Sequence, residues 1–514
     1  MDVISRLRAD GIAVGYAQLD DWGSWFIGAD GRAAAASTPQ PGLYSGGIRG
    51  LADATGVPLL LYTAFWSNAT PAAFPRTRFI RSPPSSGYAV VNPAPQDSFA
   101  FYDALFRAMD AGQAGHAMGA FEVDFLDYTY LLFDEFTTSL TAAAVWLQGI
   151  NDASRKHGIT TQLCMGLSSW MMQSLTFGER ALTSARGSED NIPGGNQANA
   201  PMWQRGRWKL GYTSLLLDAL GIAPFFDVVW TREVEPHTAW PLPRANVELQ
   251  FVIASLSNGP LGLGDGPGMT NVALAKRAIG SGGVLLKARR PLIPIDAMFG
   301  AIAVRPADGE IWSAASSLLA DPGKARELDV GWLWWHILAV NLSAPYQLGI
   351  DELRPRPQPR RRYFAHRFGD PACVDGAAGS KCVAEMSTGT PLRLWTDAAH
   401  ESGRSYAFGL WRVAPMCVGE GNGWALLGER DKFLAVSPQR VSKLECAEDA
   451  RAQIRVDLIG ADLGEVVELL FLDASCCSGE DLSNSTIVVA RVVVKQSGGA
   501  QIECTAGKGC TQTR

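Results

Sequence analysis

The stretch Ala120-Phe121-Glu122-Val123-Asp124-Phe125-Leu126-Asp127 is a short apolar run that brings carboxylates to its carboxyl end. A run of this length and composition predicts a buried strand. Two other strand-like runs end in the same way, within residues 12–21 upstream and residues 182–190 downstream. In a β/α barrel the carboxyl ends of the strands face the active site, so we expect these carboxylates to meet there.

Residues 1 to about 300 alternate strand-like runs with longer helical patterns, which predicts β/α units around a parallel sheet. The predicted strands are residues 12–19, 58–65, 121–126, 160–165, 182–186, 225–230 and 260–264. These are seven strands, whereas a closed barrel needs eight. The chain opens on an amphipathic helix over residues 3–8. We therefore expect a (β/α)8-type TIM barrel that lacks its first strand, with further residues upstream in the source gene.

The pattern changes after about residue 305, where short strand-like runs are separated by Gly, Ser and Asp turns. This alternation is typical of an antiparallel β-sandwich. The sequence thus predicts two domains: a catalytic barrel over residues 1–304 and a C-terminal β-sandwich over residues 305–514. Residues 305–360 are assigned to a junction segment between them.

Composition excludes several classes of function. The chain has 514 residues and a net charge of -6, and it contains no long basic run, so nucleic acid is not an expected partner. No apolar run is long enough to span a bilayer, and we expect no membrane association. The His and Cys spacings match no metal-binding motif, and the Gly-rich segment 262–268 fits no nucleotide-binding motif. We expect no metal and no cofactor.

The cysteines are concentrated in the last third of the chain. Cys164 is followed by eight cysteines after residue 370, and an even number in one region predicts disulfides and an oxidising compartment. Asn68, Asn341 and Asn484 begin possible glycosylation triplets. The first residues do not resemble a signal peptide. We expect a secreted protein or one of the endomembrane lumen, with its leader not present in this chain; the alternative is an intracellular protein.

Four segments, in this order along the chain, resemble motifs of the clan D glycoside hydrolases, which include the α-galactosidases and raffinose synthases. The segments are Leu19-Asp20-Asp21-Trp22-Gly23, Glu122-Val123-Asp124, Arg186-Gly187-Ser188-Glu189-Asp190 and residues 257–268. The resemblance covers roughly residues 10–300. It implies a retaining mechanism, in which two carboxyl groups lie about 5–5.5 Å apart across the scissile bond.

The resemblance implies that Asp124 is the nucleophile and Asp190 the general acid/base. Glu189 competes with Asp190 for the second role, and the spacing of four residues after Arg186 selects Asp190. Asp127 follows the predicted strand, where an acidic residue also serves to cap the next helix. We interpret Asp127 as such a cap.

A second set of residues is expected to bind the sugar. It comprises Asp20, Asp21, Trp22, Trp66, Glu122, Arg186, Trp230 and Asp265. The resemblance implies that the Asp20–Asp21 pair accepts hydrogen bonds from the 4- and 6-hydroxyls of galactose, whereas the tryptophans would stack on sugar faces. Structural roles remain open for some of these residues. Asp20 or Asp21 could be a helix N-cap, Arg186 could form an ion pair, and Asp265 could shape a turn.

Glu122 is the main departure from the clan, whose members carry Lys at this position. An anion beside the nucleophile raises its pKa, whereas a cation would lower it. The sequence therefore predicts a retaining α-glycosidase acting on α-galactosides, with carbohydrate as the partner. A raffinose-synthase-like α-galactosyltransferase and a non-catalytic carbohydrate-binding barrel remain the alternatives, and no oligomeric state is predicted.

Overall fold

We describe a computed structural model of the chain. The residues it describes are 2–20, 33–34, 46–112, 115–166, 168–188, 190–191, 210–234, 246–280, 282–304, 309–319, 331–359, 361–396, 407–417, 423–447, 453–474, 482, 484–495, 499–505 and 508–513. The chain forms two compact units, which we describe separately. Unit 1 comprises Met1–Arg8, Val14–Glu189 and Leu215–Phe225, and unit 2 comprises Ala9–Ala13, Asp190–Ser214 and Phe226–Arg514.

Unit 1 contains the first ten strands. They are β1 (Ala17–Leu19), β2 (Ala33–Ala34), β3 (Leu59–Thr63), β4 (Phe65–Ser67), β5 (Phe79–Arg81), β6 (Val90–Pro93), β7 (Met118–Val123), β8 (Thr160–Leu163), β9 (Leu182–Arg186) and β10 (Ala223–Phe225). Six of them form one parallel sheet in the order β1-β3-β7-β8-β9-β10. Each strand pairs with the next one of the sheet along the chain, which is the order of a β/α barrel and not of a doubly wound sheet.

Helices connect these strands. They are α1 (Asp2–Ala9), α2 (Gly47–Thr55), α3 (Thr70–Ala73), α4 (Ser98–Ala108), α5 (Leu126–Leu132), α6 (Asp134–Thr138), α7 (Ala142–His157), α8 (Ser168–Gln173) and α9 (Leu210–Ala219). The longest, α7, ends with three basic residues that complement the helix dipole, followed by Gly158 in the left-handed conformation. Its Gly149 lies so close to α4 that a Cβ atom would stand 2.5 Å from Ser98 Oγ.

The two faces of the parallel sheet differ in polarity. One face carries Leu59, Leu61, Phe121, Val123 and Leu163, which belong to a buried apolar cluster with residues of the surrounding helices. Successive side chains of a strand point to opposite faces, so the alternate positions of the same strands face the other way. Several of those positions are polar, and they form the candidate site described below.

Residues 67–97, between β4 and α4, contain further secondary structure. β5 and β6 pair antiparallel, and β6 also pairs antiparallel with β4. Together with β2 they form a four-stranded sheet in the order β2-β4-β6-β5. Pro71 lies in the first turn of α3, Pro84 and Pro95 lie in short 3-10 turns, and Pro93 ends β6, all places where proline is tolerated.

Unit 2 contains the first half of α9, four further described helices and the remaining strands. The helices are α10 (Val247–Leu256), α11 (Val272–Lys276), α12 (Asp296–Val304) and α13 (Gly379–Cys382). The strands are β11 (Arg290–Pro294), β12 (Glu310–Leu319), β13 (Gly331–Val340), β14 (Tyr346–Leu348), β15 (Tyr363–Arg367), β16 (Val383–Met386), β17 (Leu392–Leu394), β18 (Phe408–Pro415), β19 (Trp424–Glu429), β20 (Val441–Ala447), β21 (Gln453–Ile459), β22 (Val466–Asp473), β23 (Thr486–Val493), β24 (Gly499–Thr505) and β25 (Gly509–Gln512).

The strands of unit 2 form four antiparallel sheets. Their orders are β11-β12-β13-β18-β15-β16, β14-β17, β19-β22-β23 and β20-β21-β24-β25. The predicted junction segment therefore contains long strands, because β12 and β13 pair from Glu310 to Val340. Within β13, Trp334 belongs to one apolar cluster and Trp335 to another. Successive side chains of a strand point to opposite faces of the sheet, and both faces of β13 are buried. The predicted antiparallel character of the C-terminal region is confirmed.

The seventh predicted strand, residues 260–264, is represented by one parallel bridge between Val229 and Leu263. The first five predicted strands correspond to β1, β3, β7, β8 and β9, and their parallel order is confirmed. The sixth, predicted over residues 225–230, is displaced: β10 ends at Phe225, and of the predicted residues beyond it Val229 alone forms a bridge. Closure into a barrel remains a prediction. Unit 2 also holds three disulfides, Cys373–Cys382, Cys417–Cys446 and Cys504–Cys510, and Cys164 of unit 1 is a buried free thiol. Among the described residues, no helix is both long and apolar enough to cross a membrane.

Candidate functional site

The candidate site lies on the polar face of the parallel sheet of unit 1. The strand register places Tyr62 of β3 opposite Glu122 of β7, Glu122 opposite Gln162 of β8, and Gln162 opposite Ser184 of β9. Residues opposite one another in a sheet share a face, so four polar side chains form one row across four strands. Asp124 lies two residues beyond Glu122 and follows the carboxyl end of β7.

Asp124 is a buried carboxylate with both oxygens engaged. Its side chain accepts a hydrogen bond of 2.6 Å from the Tyr62 phenol at Oδ2 and one of 2.6 Å from the Phe125 backbone N–H at Oδ1. Phe125 reaches this position with a φ of 51°, a left-handed conformation that non-glycine residues rarely adopt. Only 5% of Asp124 is exposed. The strained backbone and the two donors hold the carboxylate in one orientation.

Glu122 is more deeply buried, with 2% of the residue exposed. The Gln18 side-chain amide donates to its Oε2, and Gln162 forms a second side-chain hydrogen bond with it. Ser184 Oγ in turn donates to Gln162 Oε1 at 3.1 Å, which leaves the Gln162 amide N–H groups to face Glu122. Burial, and then the negative charges of Asp124 and Asp20, raise the pKa of Glu122 to about 8.

Two tyrosines and one cysteine of the site also keep their protons. Burial, followed by the charge of Asp124 and the hydrogen bond to it, raises the pKa of the Tyr62 phenol far above its ordinary value. Burial, with a contribution from Glu122, raises the pKa of Tyr16 to about 12. Burial also raises the pKa of the Cys164 thiol, which lies next to Asp124. All three groups are neutral near pH 7, and the phenol of Tyr62 acts as a donor.

Arg186 is the cation of this group. It ends β9, it is half-buried, and its charge counteracts the raised pKa values of Glu122, Asp127 and Cys164. Asp20 follows β1, is exposed, and acts electrostatically on Glu122 and Tyr62. The structure thus brings Asp20, Glu122, Asp124 and Arg186, which lie on or just beyond β1, β7 and β9, within electrostatic reach of one another.

Asp127 lies in the first turn of α5, where an acidic side chain is favourable to the helix dipole. Its Oδ1 accepts a hydrogen bond of 2.8 Å from the Tyr128 backbone N–H, and its own N–H donates to Met165 O at 3.0 Å. Burial, followed by the charge of Asp124, raises its pKa. The interpretation of Asp127 as the helix cap is wrong: the N-cap residue of α5 is Phe125, no side chain caps the helix, and Asp127 lies inside its first turn.

Trp66 lies in β4, buried in the core, with 4% of the residue exposed. Its ring packs edge-on against Phe101 at a centroid distance of 5.1 Å and against Tyr102 at 6.4 Å. The expected stacking of Trp66 on a sugar is therefore not supported, because an indole packed inside an aromatic cluster presents no face to a ligand. We leave it out of the candidate site.

Three expected site residues belong to unit 2. Asp190 is half-buried, and its neighbour Asn191 donates from its backbone N–H to Asp227 Oδ2 at 2.6 Å. Asp265 is buried and accepts from the Thr231 backbone N–H at 2.8 Å and from its hydroxyl at 2.7 Å, which ties two loops together. Trp230 is half-buried against Gly264, where a Cβ atom would stand 2.9 Å from its ring.

Asp21, Trp22 and Glu189 lie outside the described residues. Their proposed roles stay predictions. In the described part of the chain, no group of three or more His, Cys, Asp or Glu side chains is arranged to hold a metal ion.

Four residues of the site were not predicted from the sequence: Gln18, Tyr62, Gln162 and Ser184. For Tyr62 the signal is a polar side chain inside an apolar strand, since it lies in the run Leu59–Thr63, which is buried throughout. A buried polar side chain needs a hydrogen-bond partner, so such a residue predicts a polar network on that face of the sheet. The partner itself depends on the register between strands.

No protein-family model and no curated protein matches this chain. Among solved structures, the glycoside hydrolase family 36 α-galactosidase AgaA from Geobacillus stearothermophilus, as a variant in complex with stachyose, is similar with a TM-score of 0.47 and 12% identity over 80% of this chain and 53% of that one. A glycoside hydrolase family 97 enzyme from Pseudoalteromonas sp. strain K8, in complex with acarbose, gives a TM-score of 0.40 and 11% identity over 80% and 55%.

The chain therefore spans about half the length of these enzymes. A GH39 β-xylosidase from Caulobacter crescentus is similar at a TM-score of 0.27 and 13% identity, over 80% of this chain and 92% of that one. All of these TM-scores lie below 0.5, so the similarities carry no conclusion about function.

Proposed function

We propose that this protein is a retaining α-glycosidase that hydrolyses α-galactosides, with Asp124 as the nucleophile and Asp190 as the general acid/base. The observation that carries the proposal is Asp124 itself. It is a buried carboxylate beyond the carboxyl end of a parallel strand, held by the Tyr62 phenol and by the Phe125 backbone N–H. This is the position at which β/α folds place reacting groups.

The contacts of Asp124 suit nucleophilic attack on an anomeric carbon. Ionised carboxylates only accept hydrogen bonds, and two donors at opposite oxygens restrict rotation of the group. In the first half of the proposed reaction, Asp124 attacks the anomeric carbon while Asp190 gives its proton to the leaving oxygen. In the second half, Asp190 removes a proton from water, which cleaves the glycosyl ester on Asp124.

The substrate class follows from the motif that contains Asp20 and Asp21. We propose that these carboxylates accept hydrogen bonds from sugar hydroxyls and that Arg186, Glu122, Trp22, Trp230 and Asp265 complete the binding site. A pocket built around a particular hydroxyl strongly rejects an analogue that cannot pair with it. Galactosides should therefore be preferred over glucosides. The three disulfides are compatible with action outside the cytosol, in the secreted or lumenal compartment that we propose.

One observation favours a second candidate, a carbohydrate-binding protein without turnover. Glu122 places another carboxyl group on the same strand face as Asp124, at the position where the resembling enzymes carry a cation. If both groups were ionised, their repulsion would oppose the negative charge that the nucleophile needs. A protein of this second kind would bind galactosides and release no product.

A screen of nitrophenyl α- and β-glycosides tests the proposal. We expect turnover of the α-galactoside, and loss of at least a thousandfold in Asp124→Asn with sugar binding retained. A 2-deoxy-2-fluoro galactoside with a good leaving group should label the peptide that contains Asp124. Asp134→Asn is the matched control, since it changes an exposed carboxylate of the same unit. Full activity in Asp124→Asn, or labelling at Asp127, would contradict the assignment.

Product analysis separates hydrolysis from transfer. With an α-galactoside donor and a disaccharide acceptor, a hydrolase should release galactose to water as its main product. A trisaccharide as the main product would instead identify an α-galactosyltransferase that uses the same two carboxylates.

A further inference from the structure

Unit 2 contains a row of buried polar side chains in the middle of its largest sheet. The register places His336 of β13 opposite Arg412 of β18, and Arg412 opposite His366 of β15. Residues opposite one another share a face of the sheet, so the three side chains lie side by side. Each of the three residues is at most 2% exposed. Polar groups buried this deeply need hydrogen-bond partners, and a buried charge needs a counter-charge.

His336 is neutral and has a partner. Its Nε2 accepts a hydrogen bond of 2.9 Å from the Ala435 backbone N–H, so the ring proton lies on Nδ1. Burial, followed by the charge of Arg412, lowers the pKa of His336 to about 3. His336 therefore has a structural role in this row, and it neither adds a charge nor balances one.

Arg412 uses only part of its guanidinium group. Its Nη1 donates to Glu429 O at 2.9 Å, and its Cζ lies 4.7 Å from the centroid of the Phe368 ring. Among the described residues, Nε and Nη2 of Arg412 have no hydrogen-bond partner, and neither has either ring nitrogen of His366. Burial lowers the pKa of Arg412 to about 9, so the group still carries its charge at pH 7. Unused N–H donors therefore lie beside a buried positive charge.

The carboxylates that act on Arg412 are engaged elsewhere or lie in solvent. Glu429 accepts two hydrogen bonds from Arg440, at 2.9 and 3.0 Å, and Lys432 Nζ lies 4.0 Å from its Oε1. Asp431 also acts electrostatically on Arg412, but it is exposed, and water and salt screen its charge. Neither carboxylate is a dedicated partner of the Arg412 guanidinium.

This cluster carries one positive charge in excess. In the described part of unit 2, its largely buried cations are Arg412, Arg440 and Lys432, whereas its largely buried carboxylates are Glu429 and Glu465. Three positive charges against two negative ones leave a net charge of +1. An excess charge in a low-dielectric interior is costly unless an anion compensates it.

We propose that Arg412 and His366 bind one chloride ion inside unit 2. The ion accepts hydrogen bonds from Nε–H and Nη2–H of Arg412 and from the ring N–H of neutral His366. Its single negative charge balances the excess positive charge of the cluster. The proposed site lies in unit 2 and does not depend on the glycosidase function proposed above.

The chemistry of the row favours a small monovalent anion. A water molecule could accept from the same N–H groups, but it would leave the guanidinium charge uncompensated. Sulfate carries two negative charges and would lose more hydration energy in a place that is closed to solvent. A halide is spherical, so it can accept hydrogen bonds from donors on two strands at once.

The first test is differential scanning calorimetry of the full chain at pH 7, with chloride replacing gluconate at constant ionic strength. A ligand that binds the folded state stabilises it, so the unfolding midpoint should rise with chloride by about 2–4 °C and then level off. Bromide should act like chloride. Arg412→Gln should lose the response, whereas Arg455→Gln, which removes a more exposed arginine of the same unit, should keep it. A wild-type midpoint that does not depend on chloride would overturn the proposal.

A second variant serves if Arg412→Gln does not fold. His366→Phe keeps the positive charge of Arg412 and removes one donor from the site. It should need roughly three to ten times more chloride than wild type for the same rise in midpoint, because one hydrogen bond to the ion is lost. An unchanged chloride dependence would contradict the assignment of His366.

A direct measurement needs no variant. Crystals soaked in bromide should show an anomalous difference peak within hydrogen-bond distance of Arg412 and His366. Bromide peaks at the protein surface only would identify adventitious ions and overturn the proposal. Chloride-dependent stability without a peak beside Arg412 would assign the effect to another place and would also overturn it.

Discussion

The Tyr62 phenol donates a hydrogen bond of 2.6 Å to Asp124 Oδ2, across two neighbouring parallel strands. The two residues are separated by 62 positions in the chain. Because burial and the charge of Asp124 raise the pKa of the phenol, Tyr62 remains a donor throughout the neutral and moderately alkaline range. The orientation of the candidate nucleophile therefore depends on a residue from another strand.

Replacing Tyr62 with Phe should reduce kcat/KM by roughly 10–100-fold, the equivalent of about 1.5–3 kcal/mol for a hydrogen bond to a charged group. The loss should not depend on pH between 5 and 9, since the phenol does not titrate there. Tyr102→Phe is the control, because it removes a buried phenol of the same core outside the site. Equal activity in the two variants would show that Tyr62 does not position Asp124.

The proposed role of Asp190 predicts a dependence on the leaving group. Good leaving groups depart without a proton, whereas poor ones need the general acid. Asp190→Ala should therefore lose at least a hundredfold more activity on a natural galactoside than on an activated aryl galactoside. Azide should partly restore turnover of the aryl substrate. Equal losses on both substrates would assign Asp190 a structural role.

The disulfides of unit 2 predict the state of the cysteines in protein from its native source. Mass spectrometry without reduction should find the pairs Cys373–Cys382, Cys417–Cys446 and Cys504–Cys510. Cys164, buried beside Asp124, should be alkylated only after unfolding. Free thiols at the three pairs would contradict the expected compartment.

Cys417 and Cys446 close the longest of these loops, and their replacement by Ala should cost roughly 2–4 kcal/mol of stability.

A buried ion network in unit 2 predicts that replacing Arg440 destabilises the protein much more than replacing Arg455. Arg440 is buried, with 2% of its side chain exposed, and donates to Glu429 at 2.9 and 3.0 Å and also to Glu465. Arg455 pairs with Glu503 and Glu445 but is 41% exposed. Removing one partner of a buried network leaves charges without compensation.

Arg440→Ala should therefore destabilise the protein by about 3–5 kcal/mol. Arg455→Ala should cost about 1 kcal/mol or less. Urea denaturation followed by far-ultraviolet circular dichroism measures both. Similar midpoints for the two variants would show that burial does not strengthen the Arg440 network.

Local patterns in the sequence determined much of the fold. The apolar runs predicted five strands of the parallel sheet and misplaced the sixth, and the turn-rich pattern beyond residue 305 predicted antiparallel strands. The position of Asp124 was also predictable, because a carboxylate directly after an apolar run marks the carboxyl end of a strand. These features depend on residues close together in the chain, where side-chain periodicity is visible.

Tertiary structure alone decided which side chains meet. The contact between Gln18 and Glu122 joins residues 104 positions apart, and its existence depends on the order and register of three strands. Trp66 also follows an apolar strand, yet it packs into the core because β4 bends into a separate sheet beside α4. Hydrophobic alternation predicts that a residue faces one side of a sheet, but the neighbours it finds there are set by strand pairing, which one strand's sequence does not encode.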